Sequence, residues 1–204
     1  WDEKTKLAKI TVKQTQKISE DAHLFQFPLA VRFSTKGVSL DRVMEIHEKE
    51  ESFYFPLEKA PDAVSIDPRL EVLAKITFKP PRAMTLLHLK NNGDMLEQLR
   101  ALEILSDKPD AEAVTHIAAV LKTAPFYGVR IRAAEVLRQA RTPEALSALR
   151  DSRSQPDARV RNAVVKAIGG WFDPKASEAL QQVLATEKNP AIIATALRAL
   201  APYQ

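Results

Sequence analysis

The hydrophobic period of this chain changes once, and the change falls on two adjacent prolines. Before Lys79-Pro80-Pro81-Arg82 apolar residues recur at every second position, and after it they recur at every third or fourth. Period two places apolar side chains on one face of a strand, whereas steps of three and four place them on one stripe of a helix. Two prolines in a row can neither continue a ladder nor sit inside a helix, so the boundary reads as an extended, stiff linker. The expected organisation is therefore a strand-rich domain over residues 1–80 and a helical one over residues 81–204.

Within the first part, Ala8, Ile10 and Val12 alternate with Lys9, Thr11 and Lys13, a strand with one exposed face; Gln14-Thr15-Gln16 continues it without an apolar face. After the Ser19-Glu20-Asp21 loop, Phe25, Phe27, Leu29, Val31 and Phe33 form the clearest alternating run. Pro28 inside it demands an edge position or a bulge. Lys36-Gly37 marks a turn. Val43 to Ile46 is expected to pair with Phe53 to Leu57 across the charged tip Glu48–Glu51. A Pro61-Asp62 turn separates that strand from Val64 and Ile66, and Asp67-Pro68 stops it, with the Asp67 carboxylate expected to bond nearby backbone amides. Val72, Ala74, Ile76 and Phe78 supply a last alternating run. Several short strands with no helix between them argue for a small antiparallel sandwich.

The second part repeats itself. Val129-Arg130 returns as Val160-Arg161, Leu137 as Ile168, Pro143 as Pro174, and Ala148-Leu149 as Ala179-Leu180, each 31 positions on. Ahead of these units, Leu96, Leu99, Leu102 and Leu105 follow helical steps after the Asn91-Asn92-Gly93 break. Each unit reads as a helix, a proline-led turn and a second helix. Neither helix can bury its stripe alone, so neighbouring units must stack. The turn Asp157-Ala158-Arg159-Val160-Arg161, opening the small-residue helix Ala163–Gly169, resembles a HEAT repeat. The fold class is thus read as β then α: a small antiparallel β-sandwich followed by a HEAT-like α-solenoid.

Composition excludes several functions. No run approaches the roughly 18 apolar residues of a membrane helix, and zero cysteines rule out thiolate metal sites without fixing the compartment. Residues 1–97 carry 15 Lys/Arg against 15 Asp/Glu, so the net charge of +4 belongs to the helical part. That excess is mild, and aromatics to stack bases are sparse, which disfavours a nucleic-acid binder. His47-Glu48 begins like the helical zinc signature H-E-x-x-H, but Glu51 stands where the second histidine is needed and the segment reads as a strand end. His23, His88 and His116 read as surface, packing and helix-pair residues. No phosphate loop, nucleophile elbow or Ser/His/Asp set is present. The densest basic set is Arg130, Arg132, Arg138, Arg141, Arg150, Arg153, Arg159 and Arg161. At repeat-equivalent positions Arg130 and Arg161 could form a ladder on an inner surface, which makes them the candidate substrate- or partner-facing residues. The competing reading is a solvated face with ion pairs to Glu135, Asp151 and Asp157.

Five segments taken together resemble the region that follows the catalytic domain in M1-family (gluzincin) zinc aminopeptidases. They are Ile10–Gln16, Phe25-Gln-Phe-Pro-Leu29, Phe53-Tyr-Phe-Pro-Leu57, Val64-Ser-Ile-Asp-Pro68 and Ile76-Thr-Phe-Lys-Pro80. In that family a sandwich joins the zinc-bearing domain to a helical, HEAT-like domain, and Trp1 would correspond to the aromatic residue leading into the sandwich. The family's zinc ligands, general-base glutamate and substrate-amine motif all lie upstream of anything in this sequence. The resemblance therefore implies a non-catalytic tail with no catalytic or metal residue and no cofactor of its own, zinc being expected in the upstream catalytic domain. The implied partners are that domain and peptides or a protein on the helical concave face. The alternative is an interaction scaffold from a degenerate relative that has lost peptidase activity.

Overall fold

The computed structural model describes residues 1–20, 23–91 and 93–203. Asp21 of the expected first loop and Asn92 of the Asn-Asn-Gly break lie outside the described residues. The chain divides into two compact units, Trp1–Leu87 and His88–Gln204.

The first unit holds five strands among the described residues: β1 (Leu7–Lys13), β2 (Phe27–Thr35), β3 (Val38–Ile46), β4 (Glu50–Pro56) and β5 (Ala63–Ile66). They make two antiparallel sheets, β1-β4 and β3-β2-β5. The apolar faces of both sheets meet in one core of Ala8 and Phe55 from the first sheet and Leu29, Val31, Phe33, Met44, Ile46 and Ile66 from the second. Phe33 and Phe55 join the sheets directly, their ring centroids 5.2 Å apart and tilted. Burying each large side chain of this set contributes about 1.5–3 kcal/mol. The alternation read from the sequence is what puts them there: Tyr54, between Phe53 and Phe55, points outward and is 57% exposed. Pro28 is tolerated because β5 covers only Val31–Ser34 of β2, leaving the strand an edge at the proline.

Two strand expectations are corrected. Val43–Ile46 does not pair with Phe53–Leu57; β3 pairs with β2, and β4 pairs with β1. The reason is the Lys36-Gly37 turn, where both residues have positive φ (48° and 82°), the backbone twist that suits a two-residue hairpin. Residues 47–49 instead carry the chain from one sheet to the other. There the Glu51 carboxylate accepts the backbone N–H of His47 and Glu48. Val72–Phe78 forms no strand, and Leu73 is fully exposed. Asp67 captures the backbone N–H of Glu71 (2.8 Å) and Val72 (3.1 Å), which turns the chain away from a ladder. The Asp67 expectation itself holds, with the residue 1% exposed at φ 47°.

Gln14 shows how a polar residue can extend a sheet. Its side-chain amide donates to Phe25 O and accepts from Phe25 N, so one side chain stands in for a ladder rung while buried.

The described helices are α1 (Arg82–Lys90), α2 (Met95–Leu105), α3 (Ala111–Thr123), α4 (Tyr127–Ala140), α5 (Pro143–Asp151), α6 (Ala158–Ile168), α7 (Pro174–Thr186) and α8 (Pro190–Leu200). Asp94, Asp110, Thr142, Asp157, Asp173 and Asn189 cap α2, α3, α5, α6, α7 and α8, each accepting a backbone N–H of the first turn. Pro143, Pro174 and Pro190 open three of them, where a missing N–H costs nothing. From α2 to α8 the even-numbered helices pack on one another as one layer, and α3, α5 and α7 form a second. The 31-residue repeat is visible in the packing: Val129 and Val160, Leu137 and Ile168, and Leu149 and Leu180 are all fully buried.

Candidate functional site

The two candidate arginines occupy the same place in successive units, the fourth residue of α4 and of α6. Each reaches past the following helix to an acceptor in the next inter-repeat turn. Arg130 Nη1 donates to Gln155 Oε1 at 2.9 Å. Arg161 Nε and Nη2 donate to Glu187 at 2.8 and 3.4 Å, and its Nη1 donates to the carbonyls of Gln155 and Pro156. The ladder has two rungs, since residues 99 and 192 at the flanking repeat positions are Leu99 and Ile192.

Sequence reasoning missed the acceptors. Gln155 is buried and joins three elements: it accepts from Arg130, donates from Nε2 to Leu121 O at the end of α3, and offers its backbone carbonyl to Arg161. Glu187, with a side chain 11% exposed, accepts from Arg161 and from the backbone N–H of Lys188 and Asn189. The Arg161 hydrogen bond, supported by those two amides, holds its carboxyl down at about 2. The only signal in the sequence was a polar residue just ahead of each repeat helix, which is common in solvated turns.

Most of the remaining arginines are engaged in pairs. Arg159 forks onto Asp157 (3.0 and 2.6 Å) and lies 3.4 Å over the Tyr127 ring; that guanidinium holds the Asp157 carboxyl far below the usual carboxylate range. Arg132 bridges Glu103 and Glu135, Arg150 approaches Glu178 at 4.0 Å, and Arg141 donates to Gly170 O. Expected pairs to Glu135 and Asp157 are present, while among the described residues Asp151 forms no ion pair.

The histidines do not converge. His47 follows β3 and is exposed, on no helix; His116 is half-buried on α3. His88 is buried with its Nδ1 3.5 Å from Glu97 Oε2, and Glu97 also holds Arg100 at 2.9 Å. Among the described residues no group of three or more His, Asp or Glu could hold a metal ion, and no helix is long and apolar enough to cross a membrane.

The inter-repeat turns border a groove of about 790 Å³, lined by Arg153–Pro156, Arg161, Val165, Gln182, Val183 and Thr186–Lys188. Such a surface, with charged and neutral hydrogen-bonding side chains along it, can bind.

A family model of HEAT repeats matches residues 83–169. No curated protein matches the sequence significantly. Among solved structures, the chain is similar over its whole length to the Legionella pneumophila aminopeptidase A crystallised with aspartic acid, at TM-score 0.62 and 13% identity. It spans 31% of that chain. At this identity the likeness is one of fold.

Proposed function

We propose that this chain is the non-catalytic C-terminal portion of an M1-like zinc metallo-aminopeptidase, packing against an upstream catalytic domain and limiting access to it. The observation that carries the reading is the whole-chain likeness, sandwich and helices together, to a 31% segment of one aminopeptidase. A HEAT solenoid alone recurs in many scaffolds, but a sandwich feeding directly into one is a far narrower architecture. The residue-level resemblance of five segments of the first unit to the M1 post-catalytic region supports the same assignment. The described side chains fit a framing role: carboxylates and arginines hold helix to helix.

The test is on the full native gene product, including whatever is encoded before Trp1. The expected result is one tightly bound zinc and aminoacyl-amide hydrolysis that a chelator abolishes, with neither property in the isolated 204-residue chain. A native product without zinc or hydrolysis overturns the assignment and leaves an interaction scaffold.

A further inference from the structure

We propose that the groove between the α5–α6 and α7–α8 turns binds an acidic peptide segment. Its volume, about 790 Å³, falls within the range of about 300–1,000 Å³ usual for ligand sites. Four charged side chains line it: Arg153, Arg161, Glu187 and Lys188. Two of these cancel. Arg161 is held by Glu187 and by two backbone carbonyls, and both Glu187 oxygens are occupied by Arg161 and two backbone amides. Arg153 and Lys188 remain, and among the described residues neither side chain has a hydrogen bond or ion pair. They come from the two turns that border the groove, so its uncompensated charge is positive from both turns.

The lining decides between kinds of anion. Val165 and Val183 lie buried beneath the charges, and Ser154 and Gln182 add neutral hydrogen-bonding groups along the rim. An extended peptide bearing carboxylates fits this lining, its carboxylates meeting Arg153 and Lys188 and its backbone amides meeting the neutral groups. A nucleic-acid strand needs a denser cationic track, and the helical part of this chain has only a small excess of Lys/Arg over Asp/Glu.

The experiment titrates the 204-residue chain into a fluorescein-labelled Glu-Leu hexapeptide and follows anisotropy at low salt. The expected result is saturable binding about tenfold tighter than that of the matching Gln-Leu peptide, weakened several-fold by 300 mM salt. The pair Arg153→Glu with Lys188→Glu should lower affinity at least tenfold, and Arg153→Gln with Lys188→Gln should lower it less. Neither pair removes a side-chain hydrogen bond, so the melting temperature should hold in both. Equal binding of the two peptides, or binding indifferent to both pairs, overturns the proposal. So does an oligothymidylate that binds tighter than the peptide through the same two residues. The readout is binding by the chain itself, so it is independent of whether any parent protein hydrolyses peptides.

Discussion

Glu187→Gln tests whether the Arg161–Glu187 clasp holds successive repeats together. Gln keeps the shape and one acceptor but removes the charge. Four donors then share a neutral amide: Arg161 Nε and Nη2, and the backbone N–H of Lys188 and Asn189. The fall of the Glu187 carboxyl from 4.5 to about 2 caps the worth of its charge at about 3 kcal/mol. Arg161 keeps its two carbonyl partners and is 23% exposed, so its charge is not stranded as in a fully buried pair, and about 2 kcal/mol is expected. For the helical unit, that corresponds to a fall of about 8 °C in Tm. The pH dependence supplies the second arm. The folded-state pKa is depressed, so the unfolded chain binds the extra proton, and stability is fully present above about 4.5. It is lost as pH falls from there toward about 2, whereas Gln does not titrate. The Tm gap between wild type and variant, read by far-UV circular dichroism, should be widest near neutrality and close across that window. A gap under about 1 °C at neutral pH, or one that stays constant down to pH about 2.5, would refute the role given to the clasp.

Other substitutions probe other joints. Gln155→Leu leaves Leu121 O and Arg130 Nη1 without a partner in a buried place, and should cost about 2 kcal/mol in urea unfolding. Asp67→Ala orphans the amides of Glu71 and Val72 and places a Cβ residue at φ 47°; Asp67→Gly loses the same bonds without that strain. The alanine variant should therefore be less stable than the glycine by about 1 kcal/mol. A Cβ at residue 169 collides with that of Ala199, so Gly169→Ala should destabilise by about 1–3 kcal/mol, and Ala199→Gly should rescue part of the loss in a double-mutant cycle.

Much of the fold was legible because it rests on local periodicity. Phe53, Phe55, Val31 and Phe33 alternate, and a strand has no other way to put such residues on one side. The 31-residue echo of Val129 in Val160 and of Pro143 in Pro174 fixes where helices begin and which faces they bury. Strand partnership was less legible: β3 and β4 follow one another across a short charged tip, the sequence pattern of a hairpin. The choice falls to the Lys36-Gly37 turn, whose left-handed backbone closes β2 on β3. Val72–Phe78 alternates as well as any strand here, yet periodicity says nothing about whether an edge is available to pair with it.

The candidate arginines divide along the same line. Their repeat positions follow from sequence, and so does the guess that they form a ladder. What they touch does not, because Gln155 lies 25 residues from Arg130 and Glu187 lies 26 residues from Arg161. Sequence alone determined the order of a β domain and a helical one, the strand and helix faces, and the helix starts at their Asp, Thr, Asn and Pro signals. These are all properties of a few neighbouring residues, set by backbone sterics and burial. Only the tertiary structure decided which sheet each strand joins, which arginines are neutralised, and which two cations remain on the groove. Those are decided by charge and hydrogen-bond partners that meet only after the repeats have stacked, where desolvation makes an unpaired group costly and selects the pairs.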